Sequence, residues 1–572
     1  MPESPETATA LPASAARWPQ RIRLIERISV GAILLVITLL GLQQRLVGLD
    51  AVGLWFDEWI TVEETTRPTV LDTITAEGSH PPMLRLMMRA SIAMFGDMSV
   101  PGGADRAARY PVVLLGTLCI PVLVLFARRF SGGNSLVGLV AAAFWAFGAY
   151  GIYYGQEARY YSGLVLFSAW ALHGLAWLRE TPRDWKRHVW LGLGLYLGPM
   201  NQALFGLLFI LLFVCIVPTM LRNIRRNWVL PLPWIAAGLL YLPWFIFSMK
   251  HLEDQGRPWL DNVARASIDI PVAFFTGRIG AFHLMHNDMP GYLATLSWAA
   301  FMLLAAGFLI HCARRSRGLA WISAFIVLTS LIGTAAIHDQ YMSLRFFHHK
   351  YLAFIYPFVC LAIGELVVFL LDTGADVPWW RQLLKPAPAP QGDERRQPDP
   401  LLVASIVCRF MAWAIALVIV WGHVGPVWGA TQEALARMKP GSPYLFHKEP
   451  YREAAAWAQQ WRTPGTPVIV FAEHGINDGV LRYYGITDPL LPVRREHRAD
   501  ASGFWNDVPM PGLVDAGEPA MAPRAIVIDG HCDDAARELA LRIGMDRYPR
   551  LIAQRWFGGC EGWMRVSILE RR

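Results

Sequence analysis

Four short stretches carry the residue types from which a reaction could be built. The first is Leu54-Trp55-Phe56-Asp57-Glu58-Trp59, two adjacent carboxylates among apolar side chains. A carboxylate close to hydrocarbon is costly unless it has a function or a partner. The pair suits a general base or a metal ligand, and it equally suits a solvated interfacial pair. The second is Ser79-His80-Pro81-Pro82, where His80 could meet a phosphate or a metal, or cap the helix that a proline pair starts. The third runs Tyr153-Tyr154-Gly155-Gln156-Glu157-Ala158-Arg159-Tyr160-Tyr161. It sets Gln156, Glu157 and Arg159 in one short turn between tyrosines, as a site or as an aromatic belt with a local Glu157–Arg159 pair. The fourth is Arg345-Phe346-Phe347-His348-His349-Lys350-Tyr351. It can contact a lipid phosphate specifically or make ordinary headgroup contacts.

The elements that must position these residues are apolar. The chain has 572 residues, 54% hydrophobic and 17% charged, against about 25% charged in a soluble protein. The excess comes in blocks of about 18–22 residues, each long enough to cross a bilayer core. Arg17, Arg21, Arg23 and Arg27 precede the first block, at Ile28–Val47, and put its start in the cytoplasm. Later blocks are expected at Tyr110–Phe126, Ser135–Tyr150, Gly163–Leu178, Val189–Met200, Leu204–Met220, Val229–Phe247, Tyr292–Ile310, Leu319–Ile337, Tyr351–Leu371 and Leu401–Trp421. The strong Arg/Lys clusters between them then all fall on one side, although charge was not used to choose the blocks. The basic stretch at Arg345–Lys350 falls on the other side, where positive charge is disfavoured and an anionic partner would explain it.

The expected fold is thus a polytopic α-helical membrane protein of about eleven spans, N-terminus cytoplasmic, with a C-terminal extracytoplasmic α/β domain. Residues 1–24 read as a disordered cytoplasmic start, 25–424 as the membrane domain and 425–572 as the outer domain. Within the membrane domain, 50–104 is a first outer loop in which Pro81–Phe95 is an amphipathic surface helix, interrupted by Arg85 and Arg89. Residues 372–400 form a Pro-rich cytoplasmic linker, and Lys250–Pro290 is an outer loop long enough to act as a lid. In the outer domain Pro467–Ala472, Arg524–Asp529 and Val566–Glu570 read as strands, and Tyr451–Trp461 and Asp533–Ile543 as helices. Of 7 cysteines, Cys532 and Cys560 lie in this domain, where a disulfide is compatible with an oxidising compartment. The net charge of +7 is spent on membrane orientation, and there is no nucleic-acid-binding module.

In order and spacing, Asp57-Glu58, then His80-Pro81-Pro82, then Arg106-Ala107-Ala108-Arg109-Tyr110-Pro111, then Tyr154-Gly155-Gln156-Glu157-Ala158-Arg159-Tyr160 resemble the GT-C superfamily of polyprenyl-phosphate-dependent glycosyltransferases. The nearest likeness is to the protein mannosyltransferase and aminoarabinose transferase group, with its bacterial Rgt-like members. It is strongest over residues 25–220 and weaker at Arg345–Pro357; Tyr451-Arg452-Glu453-Ala454-Ala455 resembles the start of that group's outer domain. The chain departs at His80, where the aminoarabinose transferases carry Lys, and at Gln156-Glu157, where the oligosaccharyl transferases carry a two-acid metal motif.

The resemblance implies a bacterial inner-membrane enzyme with catalytic loops on the outer face. It would transfer a sugar, with inversion, from a polyprenyl-phosphate carrier to a lipid, glycan or protein acceptor. Asp57 would be the catalytic carboxylate and general base with Glu58 beside it. His80, Tyr154, Gln156 and Glu157 would line the substrate site, and Arg159 would meet phosphate, as would Arg345, His348, His349 and Lys350. A divalent cofactor, Mg2+ or Mn2+, would take Asp57 and Glu157 as ligands, since hard cations favour oxygen. Two rivals remain: an oligosaccharide polymerase or ligase using a pyrophosphate-linked donor, and a lipid or polysaccharide transporter. A transporter would place its charges near mid-membrane, whereas here they gather in outer loops.

Overall fold

The computed structural model describes residues 13–50, 53–76, 80–254, 305–314, 319–329, 353–372, 451–463, 465–471, 477–486, 490–493, 495–499, 505–509, 522–530, 541, 544–545, 548–558 and 563–571. The first helix is α1 (Ala13–Leu46). Three short helices follow, α2 (Phe56–Thr65), α3 (Val70–Thr75) and α4 (Met83–Phe95). Next come α5 (Asp105–Phe130), α6 (Ser135–Phe147), α7 (Ala149–Tyr154), α8 (Tyr161–Glu180), α9 (Trp185–Asn201), α10 (Phe205–Arg222), α11 (Ile224–Asn227) and α12 (Leu232–Asp254). A late helix, α13 (Tyr356–Asp372), packs back onto α5 and α6.

Among the described residues, 6 helical stretches are long and apolar enough to cross a membrane: Arg27–Leu46, Asp105–Phe130, Tyr161–Glu180, Phe205–Arg222, Leu232–Lys250 and Ala353–Leu371. The protein is therefore a multi-pass helical membrane protein. α5 and α8 lie inside the bundle, with 72% and 89% of their apolar windows buried, against 11% for Arg27–Leu46. Of the expected spans, 292–310 and 319–337 lie partly, and 401–421 wholly, outside the described residues, as does nearly all of the 250–290 loop.

Two local corrections have electrostatic causes. α5 begins at Asp105 rather than Tyr110, because Asp105 and Arg109 find partners inside the protein and need not stay in water. The Pro81–Phe95 segment is helical from Met83, but both its arginines are bonded within the protein. Arg85 is buried and Nη1 donates to Glu64 Oε2 at 3.0 Å, while Arg89 Nη1 donates to the carbonyls of Thr65 and Arg67 at 3.1 and 2.6 Å. The positive charges that break the apolar pattern of α4 are thus what bind it to the C-terminal end of α2, where free carbonyls favour cations.

Among the described residues, the C-terminal part contains α14 (Tyr451–Trp461) and α15 (Asn477–Tyr483) with seven strands. β1 (Val468–Phe471), β2 (Leu490–Val493), β5 (Arg524–Gly530), β6 (Arg550–Gly558) and β7 (Trp563–Glu570) form one sheet in the order β2-β1-β5-β7-β6. β1 runs parallel to β2 and β5, whereas β7 is antiparallel to β5 and β6. β3 (Arg495–Ala499) and β4 (Trp505–Pro509) form a separate antiparallel pair. The three strands and the 451–461 helix expected from sequence are present, and β2, β3, β4 and β6 are additional. The expected 533–543 helix lies outside the described residues except at 541.

Helix packing here depends on missing side chains. A Cβ built on Gly364 of α13 would lie 2.6 Å from the Val137 carbonyl oxygen of α6, so the two backbones touch only because that atom is absent. Gly364→Val should therefore lower stability by about 1–3 kcal/mol, as overpacking does. Thermal unfolding of the purified protein in one detergent is the check; an unchanged midpoint would mean that α13 and α6 are not in backbone contact.

Candidate functional site

The frame of the site is one buried ion pair. Glu58 lies in the first turn of α2 and Arg109 in the first turns of α5, and both are almost fully buried. Arg109 Nε donates to Glu58 Oε1 at 3.0 Å and Nη2 to Oε2 at 2.7 Å, the two-pronged geometry that a guanidinium suits. The carboxylate also accepts the Ala158 N–H at 2.7 Å and, more weakly, the Trp55 N–H at 3.3 Å. Arg109 spends further hydrogens on the Leu49 and Gly53 carbonyls, at 2.7 and 2.9 Å. The pair thereby ties together the exit of α1, the start of α2, the start of α5 and the 155–160 turn.

The 155–160 turn is fixed from below by a second buried guanidinium, which the sequence did not single out. Arg45, at the end of α1, is fully buried, and among the described residues no carboxylate pairs with it. It donates instead to the carbonyls of Gly41, Trp145, Ala146 and Gly151, at 2.9–3.1 Å. Two of these carbonyls belong to the last turn of α6, whose partial negative charge substitutes for an anion. Gly155 must be glycine, since its Cβ would lie 2.6 Å from Arg45 Nε. The available signal was an arginine on the outer side of the first span, the reasoning already applied to Arg345.

On this frame the structure brings together Asp57, Arg159, Tyr160 and His80. Asp57 follows Phe56 at the start of α2 and keeps 24% of its side chain exposed. Its Oδ2 lies 3.9 Å from Arg159 Nη2. Arg159 Nη1 donates to the Asp57 carbonyl at 3.0 Å and to Thr61 Oγ1 at 2.7 Å, and Nη2 to the Tyr160 hydroxyl at 3.1 Å. Its buried Nε has no acceptor among the described residues. His80 Nε2 is 2.8 Å from the same Tyr160 hydroxyl. Asn201 Nδ2 donates to the Tyr160 carbonyl at 2.8 Å, and Arg85 Nη2 to the His80 carbonyl at 2.6 Å, so second elements hold both members. Burial alone would lower the Arg159 pKa; the Tyr160 hydroxyl and Asp57 beside it outweigh that and keep the guanidinium charged.

The other expected residues lie elsewhere. Gln156 turns away and its amide caps the end of α1, donating to Val47 and Arg45 carbonyls at 2.8 and 3.2 Å. Tyr154 is buried among Tyr150, Tyr153 and Tyr161. Glu157 is also buried, within the electrostatic reach of Tyr154 and Arg159. Arg345, His348, His349 and Lys350 lie outside the described residues, as do Cys532 and Cys560. Among the described residues no three His, Cys, Asp or Glu side chains gather around one point. The charge facing Asp57 is a guanidinium and Glu157 is buried, so these residues by themselves do not fit a divalent ion.

No protein-family model and no curated protein matches the chain. Solved structures do overlap it. ArnT from Cupriavidus metallidurans bound to undecaprenyl phosphate is 17% identical, over 93% of this chain and 97% of that one, with a TM-score of 0.49. The oligosaccharyltransferase AglB from Archaeoglobus fulgidus, in complex with an inhibitory peptide and a dolichol-phosphate, is 13% identical over 80% of this chain and 64% of that one, also at 0.49. Overlaps this loose carry neither residue roles nor an activity to this chain.

Because the Glu58–Arg109 pair is buried, removing one partner should be far worse than removing both. Glu58→Gln should destabilise by about 3–5 kcal/mol, leaving an uncompensated buried charge, and Glu58→Met with Arg109→Met should recover much of that. Unfolding midpoints of the two single variants and the double variant test this. A double variant no better than the singles would show that the pair acts through its backbone contacts rather than its charges.

Proposed function

We propose that the chain is a glycosyltransferase that moves a sugar from a polyprenyl-phosphate carrier to an acceptor at the outer face of the bacterial inner membrane. The observation that carries this is a partly exposed carboxylate, Asp57, set 3.9 Å from a largely enclosed, charged Arg159 at the loop end of a helical membrane bundle. A base and a phosphate-stabilising cation side by side are what sugar transfer from a phosphate needs. A carrier with a long hydrocarbon tail would reach them from within the bilayer. The arginine clusters of the sequence support a cytoplasmic N-terminus and a periplasmic C-terminal domain.

In the transfer step an acceptor hydroxyl or amine attacks the anomeric carbon on the face opposite the phosphate. The anomeric C–O bond breaks and its electron pair leaves with the phosphate, so configuration inverts. The acceptor's proton passes to Asp57. Arg159 neutralises the charge growing on the leaving phosphate, and it needs no reorganisation because Thr61, Tyr160 and the Asp57 carbonyl already hold it. His80 and Tyr160, hydrogen-bonded to each other, line the same corner and are placed to meet the sugar or the phosphate. Glu58, one residue from the base, holds the frame and does not touch substrate. No step is assigned to a metal.

The test is transfer of radiolabelled sugar in membranes, from a panel of polyprenyl-phosphate and pyrophosphate-linked donors, at matched expression. Asp57→Asn should cost roughly 100- to 10,000-fold, the worth of a positioned base. Arg159→Met should cost on the order of 100- to 1,000-fold. Full transfer by Asp57→Asn would remove Asp57 as base. Transfer only from pyrophosphate-linked donors would replace this reading with a polymerase or ligase.

A further inference from the structure

The C-terminal domain is not an appendage on the bundle, because it touches the helix that carries Asp57. Asp105, the first residue of α5, is buried where the two parts meet. Its Oδ1 accepts the Tyr483 hydroxyl at 2.8 Å and its Oδ2 the Tyr484 hydroxyl at 3.1 Å. Arg452 Nη1 lies 3.6 Å from Oδ2 and donates to the Asp50 carbonyl at 3.0 Å. The Tyr484 hydroxyl also accepts the Leu54 N–H, three residues before Asp57. A Cβ on Gly53 would lie 2.8 Å from the same hydroxyl, so the backbone leading into α2 rests directly on this tyrosine.

The contact continues along α2. Phe56 and Trp59, on either side of the Asp57-Glu58 pair, pack against the apolar core of the C-terminal domain. The Trp59 ring sits so close to α15 that a Cβ on Gly479 would be 2.4 Å from it. α2 is therefore held on two sides, by Glu58 onto Arg109 and by Leu54, Phe56 and Trp59 onto the C-terminal domain.

We propose that Tyr484 is a positioning residue through which the C-terminal domain holds α2, and with it Asp57, in register with Arg159. The consequence for turnover rests on the transferase reading above; the holding itself does not. Tyr484 is suited to this role because one hydroxyl donates to a buried carboxylate and accepts a backbone amide, which fixes it in two directions. Burial, and then Asp105, push both phenols well above their ordinary range, so both remain donors at any physiological pH. Tyr483 makes the Asp105 bond without the Leu54 bond, and so supplies a control of nearly equal shape.

The full chain in nanodiscs, as wild type, Tyr484→Phe and Tyr483→Phe, is followed by amide hydrogen exchange over residues 54–66, thermal unfolding and transfer kinetics. Tyr484→Phe orphans a buried amide, so exchange over 54–66 should rise about tenfold and kcat should fall about tenfold. Donor KM should stay within about twofold and the unfolding midpoint near that of Tyr483→Phe, whose exchange and kcat should move much less. Equal losses in both variants would mean a merely structural cluster and overturn the proposal, as would unchanged exchange in Tyr484→Phe. Faster exchange confined to Tyr484→Phe, in a wild type that transfers no sugar, would uphold the holding role and overturn the transferase reading instead.

Discussion

Everything at the candidate site is referred to one buried salt bridge, Glu58 with Arg109. Burying two charges is expensive, and their attraction offsets that only with close geometry and full hydrogen bonding. Here both conditions are met: two short prongs, an amide from the 155–160 turn and two carbonyls from the stretch of chain leaving α1. Such a bridge adds little net stability over an apolar core. What it contributes is registry, because any slide of α2, α5 or the turn would strand a charge in an apolar interior. The distance between Asp57 and Arg159 is set by this bridge together with the bonds of Arg159 to α2 and the hold of the C-terminal domain, not by their own side-chain contact.

Arg45 applies the same economy without a counter-ion. A guanidinium in the bundle would be prohibitive if unsolvated, yet five donors in a fixed fork match carbonyls exposed at a helix end. The break between α6 and α7 at Gly148 frees those carbonyls, and Arg45 collects them together with one from its own helix. The outer ends of α1, α6 and α7 are therefore pinned at the level where the 155–160 turn must sit, and Gln156 closes the arrangement from above. Two buried cations below and beside the turn explain why it needs polar residues although so few residues form it.

The membrane class, the six spans long and apolar enough to cross a bilayer and three of the strands could be read from the sequence, because apolar length and alternation are local properties. Asp57, His80 and Arg159 also stand out in the sequence, since charged or titratable groups beside hydrocarbon must be accounted for, and the structure brings them together around Tyr160. What could not be read is direction. Gln156 and Arg159 are three residues apart in one turn, and only the packed backbone decides that one caps α1 while the other faces Asp57. Arg85 reads as a break in an apolar helix until Glu64, 21 residues earlier, is found opposite it. The link from Tyr484 to Leu54 spans 430 residues, and no local pattern announces it.

The adjacent acids show how the fold converts composition into chemistry. Neighbours on a helix point about 100° apart, so Asp57 and Glu58 must enter different surroundings. Glu58 goes inward, to a guanidinium that takes both its oxygens. Asp57 goes to the rim, a quarter exposed, near a cation but not clasped by it. On the proposed function, the division of labour would follow from burial and partner geometry, as it does wherever two carboxyl groups in one site take different roles. Exchanging the residues would not exchange the roles: a shorter side chain at 58 would fall short of Arg109, and the frame that holds position 57 would be lost first.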